Sequence, residues 1–428
     1  MPYCILRVSG LLLLTLFFCL TTHADDFEFD DDVVFSDLGE QEEKRFKWPV
    51  FTLAYQFADG MENDGIRVRR ADARIQWDHL FFEDWFVRFD GKVLYYHGVD
   101  QQLGDEESHD FDWRLRDLYI QKSLADVSIT LGQQLLVWGE LDSLSVTDVV
   151  SPWDFSEFVF TAPEDARLGQ PMLVTQWYGQ AGSIQFFYSP WPEVNRYPGG
   201  DAEGAITMLT GADFISVREE TPELGREHEF GIRWQYHHDA YEFKLMAARL
   251  YSNDPTFVFR SLTKLRAFYE DFKMLGLSAN YAMPNFLWKF EAALKWEQPV
   301  ATLGLRDIDS REFAAGVDYD ANGAYVLAFE NRWQHFKGKI PDSIEDDDIQ
   351  SALRWNKQFL HDTLSVTWFL NYQWKYKDII HSLHVLYDFS DIWNIEANVT
   401  LFDSRDEDAP GRLTEDWDQF TIRVSAGF

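Results

Sequence analysis

Cysteine is almost missing from this chain: Cys4 and Cys19 are the only two, and both fall within the first 24 residues. Those residues carry Arg7, the apolar run VSGLLLLTLFFCL and the small-residue stretch TTHA before the acidic DDFEFDDD, which reads as a secretory signal peptide cut after Ala24. The mature chain is then cysteine-free, which excludes disulfide staples and thiolate metal sites despite export. Positive charge is also scarce. Without residues 1–24, 404 residues carry 37 basic and 72 acidic side chains, a net charge near −35 that repels nucleic acid. Long apolar runs are absent too. After residue 24 nothing approaches the roughly 18 apolar residues of a membrane helix. Local catalytic signatures are missing: there is no Gly-x-Ser-x-Gly, His-Glu-x-x-His, phosphate loop or dinucleotide fingerprint. His381 and His384, three apart in a strand pattern, fall on opposite faces, and His237 and His238 fall in a turn, so neither a metal site nor a cofactor is expected. No enzyme is expected; an outer-membrane hydrolase with Ser and His on separate strands is the minor alternative.

What is present is alternation, from end to end. In NFLWKFEAALKWEQ, Trp288, Phe290, Ala292, Leu294 and Trp296 share one face against Lys289, Glu291, Ala293, Lys295 and Glu297. In LSVTWFLNYQWK, Leu364, Val366, Trp368, Leu370, Tyr372 and Trp374 oppose Ser365, Thr367, Asn371, Gln373 and Lys375. In DWFVRFDGKVLYY, Trp85, Val87, Phe89, Val93 and Tyr95 oppose Arg88, Asp90 and Lys92. Such strands are about twice the usual globular length and match tilted, bilayer-spanning strands.

Short connections (123–126, 179–182, 237–240, 283–286, 320–323, 360–363, 389–392) take turns with long ones (near 58–65, 97–110, 139–166, 190–227, 252–269, 298–310, 337–349, 403–415). The tight KYKD at 375–378 is the one lapse. Counting from VFTLAYQF at 50–57 gives about 18 strands, within a range of 16–18. Trp and Tyr recur at strand ends, as expected of interfacial girdles. The expected fold is all-β: a transmembrane antiparallel β-barrel at 47–428, after the signal peptide 1–24 and an acidic periplasmic segment 25–46. The final QFTIRVSAGF keeps Phe420, Ile422, Val424, Ala426 and Phe428 on one face to the last residue, the form of an outer-membrane assembly signal. The expected location is the outer membrane of a Gram-negative cell. Expected partners are outer-membrane lipid and lipopolysaccharide, whose divalent cations the acidic long connections could share, and the barrel-assembly machinery.

One segment breaks the rhythm. A strand is expected up to Trp138 and another from Arg167; between them, 139–166 mixes carboxylates with large apolar residues such as Leu141, Leu144, Val146, Trp153 and Phe155. A solvated loop has no need of so much apolar surface, so the segment is expected to fold back into the lumen and narrow it. Arg167 is the expected charge partner of Asp148 or Asp154. Lumen-facing candidates are Arg88, Asp90, Lys92, Arg114, Arg116, Arg233, Glu291 and Lys295.

The stretch VWGELDSLSVTDVVSPWDFSEF, with DARLGQPMLV after it and the strand WRLRDLYIQ before it, resembles an uncharacterised family of proteobacterial outer-membrane proteins. Its pattern is Trp-Gly-x-x-Asp, Asp-x-x-x-Pro-x-Asp and Arg-x-x-x-Pro after a Gly-x-Gln strand. The matching positions are Gly132, Gln133 and Gln134, Trp138, Gly139, Asp142, Asp148, Pro152, Asp154, Arg167 and Pro171; Ser151 stands where Asn is frequent. Members often occur beside resistance-nodulation-division exporters. The resemblance implies an outer-membrane channel or export conduit for a hydrophobic compound or lipid, working with a periplasmic or inner-membrane exporter component. A structural or adhesive barrel with a plugged lumen is the alternative.

Overall fold

Alternation of side chains across a strand lets one sheet bury charge on one face and expose apolar groups on the other, and closing that sheet removes its edges. The computed structural model describes residues 48–61, 68–81, 84–99, 111–157, 166–197, 202–203, 216–261, 263–299, 308–338, 346–405 and 417–428; the expected signal peptide 1–24 and the expected periplasmic segment 25–46 lie outside them. In chain order its strands are β1 (Val50–Gly60), β2 (Val68–Phe81), β3 (Trp85–Val99), β4 (Phe111–Leu124), β5 (Val127–Gln134), β6 (Gln170–Gly179), β7 (Gly182–Ser189), β8 (Ser216–Glu220), β9 (Glu229–His238) and β10 (Tyr241–Tyr251). They continue with β11 (Thr256–Ser261), β12 (Lys264–Phe268), β13 (Asp271–Ala282), β14 (Phe286–Gln298), β15 (Ile308–Asp320), β16 (Val326–Lys337), β17 (Asp347–Phe359), β18 (Leu364–Gln373), β19 (Asp378–Asp388), β20 (Trp393–Ser404) and β21 (Gln419–Gly427).

Eighteen of these form one antiparallel sheet, and β1 pairs with β21 from Thr52 opposite Gly427 to Gly60 opposite Gln419, so the sheet closes on itself. Phe428 extends the closure: its N–H donates to Phe51 O at 2.8 Å, and Phe51 N–H donates to Phe428 O at 3.1 Å. Within the closing strand Ile422 and Phe428 are exposed, while the small Ala426 is buried, lying opposite Leu53 and Trp393 in the register. The 375–378 turn that breaks the length rule still joins β18 to β19 at the rim of long connections, so the up-and-down order holds. The remaining strands, β8, β11 and β12, make a separate three-stranded sheet from two long connections, with β8 parallel to β12.

The polarity of the wall is inverted relative to a soluble protein. On β14, Trp288, Phe290, Leu294 and Trp296 are 38–39% exposed, while the alternating Lys289, Glu291 and Lys295 are 0–7% exposed. Apolar groups facing outward in this continuous band suit a lipid solvent, and the inward charges then need partners inside the barrel.

Candidate functional site: the segment folded into the lumen

The wall is cut short where β5 ends at Gln134 and β6 begins at Gln170, so the expected strand up to Trp138 and the expected restart at Arg167 are both corrected. The chain leaves the wall because its next residues find better partners inside. Leu136 N–H donates to Ser151 Oγ at 2.8 Å, and the Trp138 indole donates to Gln185 Oε1 at 3.0 Å while its ring packs edge-on against Phe187 at 5.3 Å. Trp138 is wholly buried in a cluster with Leu141, Val146, Val150, Met172, Met246 and Met274. Burying this apolar set, at roughly 1.5–3 kcal/mol per large side chain, holds the segment against the wall rather than over the rim.

Glycine is required at two places. Gly132 sits in β5 with φ of +138°, a conformation that disfavours side chains, and a Cβ there would lie 2.7 Å from Tyr119 Cα. A Cβ on Gly139 would lie inside contact distance of Ser145 Oγ and 2.8 Å from Asp148 Cβ, so the turn after Trp138 closes only without one.

Past Gly139 the segment turns around two wall carboxylates. Glu291, on β14, accepts six hydrogen bonds: Oε1 from the N–H groups of Glu140 (2.6 Å) and Leu141 (2.8 Å), and Oε2 from Ser145 Oγ (2.8 Å), Val146 N (2.7 Å), Thr147 N (3.0 Å) and Thr147 Oγ1 (2.9 Å). Glu330, on β16, accepts the N–H groups of Asp142 (2.8 Å), Ser143 (3.0 Å) and Leu144 (2.8 Å). Successive backbone N–H groups converging on a carboxylate satisfy the turn's donors and offset the burial of the charge. The turn's own acids then reach the wall: Asp142 meets Lys289 at 3.1 Å and Arg354 at 2.9 Å, and Glu140 meets Lys244 at 2.7 Å and Asn280 at 2.9 Å.

The segment next runs back towards the rim of long connections. Asp148 is ion-paired with Arg167, whose guanidinium lies 3.3 Å over the Trp153 ring and donates to Ser151 O at 3.0 Å. Buried Pro152 accepts Leu168 N–H at 2.9 Å, and Trp153 bridges to Arg167. Asp154 belongs to Arg114, at 2.8 Å, rather than to Arg167. Glu157 ends the described part between Arg70 and Tyr96, with Gln56 Nε2 donating at 3.3 Å. Against the Phe155 ring, in the connection after β7, Tyr197 donates to Asp254 at 2.6 Å, and burial with that neighbouring carboxylate pushes its hydroxyl well above the usual range.

The other inward candidates split in two. Arg114, Arg233 and Glu291 lie under the folded-in segment: Arg233 donates to Val137 O at 3.4 Å and is 2% exposed, so it does not line an open passage. Arg88 is the most open, 3.7 Å from both Asp78 and Asp117; Asp90 holds Arg74 at 2.6 and 2.8 Å, Lys92 faces Asp72 at 3.6 Å, and Lys295 holds Glu312 at 2.8 Å. Arg116 sits at a β-bulge, 3.8 Å from Asp117. Glu330, Lys244, Lys289, Arg354, Arg70 and Tyr96 complete the site and escape sequence reading, since each looks like any polar residue of an alternating strand. Of the motif, Gln133 donates to Gly169 O and Gln134 to Met172 O at 3.0 Å, which pins the two ends of the excursion together, and Pro171, second in the return strand, lies opposite Gln133.

A closed barrel with an apolar outside, a charged inside and a long connection docked within has the architecture of the porin-like outer-membrane barrels. The family model described as a protein of unknown function (DUF1302) matches residues 70–308, more than half of the chain, and the chain belongs to that family. No curated protein matches it. Among solved structures it is similar to OccAB2 of Acinetobacter baumannii (TM-score 0.56, 9% identity, covering 89% of this chain and 97% of that one). It is likewise similar to the outer membrane protein OpdK of Pseudomonas aeruginosa (TM-score 0.54, 8% identity, 89% and 97% covered). At these identities the likeness describes the fold.

Proposed function

We propose that this protein is a channel of the Gram-negative outer membrane whose segment 135–157 forms a fixed constriction, and that it passes small polar solutes rather than performing catalysis. The observation that carries the reading is the docking of 140–147 on Glu291 and Glu330: two wall carboxylates that take nine hydrogen bonds from one turn hold a permanent fitting, not a loose lid. The segment's contacts run from Arg354 on β17 around to Gln56 on β1, so we assign the passage to the remaining lumen beside β18–β21. One structural neighbour, OpdK, was crystallised with vanillate, a small aromatic acid. Planar-bilayer conductance of the refolded protein tests the reading. Steady current that rises on deletion of 141–160 is expected; no current from the intact barrel would point to a plugged, structural role.

Export of a hydrophobic compound with an inner-membrane exporter is the second reading. It is favoured by Phe369, Ile380 and Phe402, three apolar side chains on the inward face of β18–β20, with Ile380 directly opposite Phe402. Accumulation of a hydrophobic probe in cells lacking the protein, unchanged when Phe369 and Phe402 are made Ser, would remove it.

A further inference from the structure

We propose that the small sheet of β8, β12 and β11 is a docking surface for the phosphate groups of the glycolipid that surrounds the barrel in the outer leaflet. The inference goes beyond the channel reading: it rests on the outer-membrane location in that reading and not on conduction. The sheet is built from the connections after β7 and after β10, both at the rim of long connections, and in outer-membrane barrels that rim faces out of the cell. It is amphipathic. On one face Phe257, Leu265 and Ala267 are buried at 0–3% exposure, and Glu219 beside Ala267 accepts the Ala202 N–H at 3.1 Å and the Tyr269 hydroxyl, which anchors that face to the molecule.

The opposite face is basic. Arg218 lies directly opposite Arg266 in the parallel register, Lys264 follows two residues along on the same face, and Arg260 is exposed beside them at the bulge before Ser261. Among the described residues of this face the one carboxylate is Glu220, which pairs with Arg266 and lies 3.7 Å from Arg218. The Arg218 side chain is 84% exposed, so the surface is open to a partner. Like charges set directly opposite each other destabilise a sheet, and one acid offsets only one of the four cations. In a chain of 38 basic and 72 acidic residues, such a gathering calls for an anion from outside.

Spacing and chemistry choose the partner. Three adjacent strands spread the cations over roughly 10 Å, which suits an anion with several charged groups set apart better than a single carboxylate. Guanidinium forks and ammonium groups both bind phosphate, the fork with two parallel bonds. Half-buried Val258 and Phe268 share the basic face, with Arg266 over the Phe268 ring at 5.2 Å, and give the C–H faces of a sugar an apolar footing. A phosphorylated saccharide headgroup in the leaflet around this rim has all three properties. Direct pairing with arginine needs no divalent cation, which separates this surface from the acidic connections.

Thermophoresis of the full chain in detergent, in buffer containing EDTA, tests this without requiring conduction. The probe is the phosphorylated oligosaccharide released from rough lipopolysaccharide by removal of its acyl chains. The parent protein should bind it, the same oligosaccharide stripped of phosphate should not bind, and inorganic phosphate at equal concentration should not displace it. Arg218→Gln with Arg260→Gln and Lys264→Gln should weaken binding about tenfold or more. Lys122→Gln with Lys357→Gln, at the rim of short turns, should leave it unchanged. No binding by the parent would mean that the chain's own acids neutralise the face and would overturn the inference. Displacement by inorganic phosphate, equal binding of the dephosphorylated probe, binding only when a divalent cation replaces EDTA, or unchanged affinity in the triple variant would overturn it as well. Should that variant lose heat-modifiable migration, the comparison of the two probes on the parent protein decides alone. Binding by a barrel that passes no current would sink the channel reading and leave the surface standing, and current without binding would do the reverse.

Discussion

The two halves of the folded-in segment are held by opposite arrangements of the same chemistry. In 139–147 the wall brings the carboxylates Glu291 and Glu330 to the segment's backbone N–H groups, and the segment's own Glu140 and Asp142 add ion pairs with Lys244, Lys289 and Arg354. In 153–157 the segment brings the carboxylates, Asp154 and Glu157, and the wall brings Arg114 and Arg70. The first arrangement fixes backbone shape, because several consecutive N–H groups must point at one site. The second fixes only position, because a long arginine can follow a small shift. The half nearer the rim of short turns should therefore be the rigid one and the half nearer the long connections the adjustable one.

The largest test of that contrast is Glu291→Ala. It removes the acceptor of six hydrogen bonds and leaves backbone donors buried, so we expect docking of 139–148 to weaken by about 3–5 kcal/mol, less than the sum of the bonds because freed N–H groups regain water. Limited proteolysis should then cut within 139–148 in a barrel that still migrates as folded, and conductance should rise. Arg114→Ala should leave 139–148 protected and loosen only 153–157. Equal protection of both halves in both variants would show that the segment moves as one body.

The same contrast explains what could be read from sequence. The barrel was legible because its signal is periodic and repeated: inverted alternation, strand length and the order of short and long connections all follow from lipid outside and charge inside. The docked segment was legible through its own composition, since apolar residues beside Asp148, Asp154 and Glu157 must be buried and paired; Arg167 does meet Asp148. The carboxylates that hold its first half were not. Glu291 reads as one more lumen-facing charge, and nothing local separates it from Lys295 two turns of the alternation away, because what distinguishes it is the approach of backbone N–H groups from about 150 positions earlier in the chain. The strand ends were misjudged for a related reason: Leu135–Trp138 keep an apolar pattern, yet their partners are Ser151 within the segment itself and the inward Gln185 of β7 instead of a neighbouring strand's ladder.

A smaller effect on the rigid half is expected from Gly139→Ala. The added methyl meets Ser145 and Asp148 across a closed turn, and relieving it displaces the N–H groups that converge on Glu291, at about 1–3 kcal/mol. The predicted readout is faster amide hydrogen exchange over 140–147 with no change over 153–157. Exchange that quickens equally in both halves, or in neither, would place the turn's rigidity elsewhere.

The smallest effect lies at the junction of the halves, where Asp148 and Arg167 meet. The pair is largely buried, with side-chain exposures of 7% and 12%, and Arg167 is further held by the Trp153 ring and Ser151 O. Asp148→Asn removes the charge but not the volume, whereas Arg167→Ala also removes the stacked guanidinium, so the second change should cost more than the first. Because each deletes the same ion pair, their effects on protease resistance of the segment should fall short of additive by about 1–2 kcal/mol. Arg167→Ala with Asp154→Asn is the control: Asp154 is bound by Arg114, so these two should add within about 0.5 kcal/mol. A coupling that is larger for Asp154 than for Asp148 would reassign the arginine and dissolve the junction, leaving the two halves joined by packing alone.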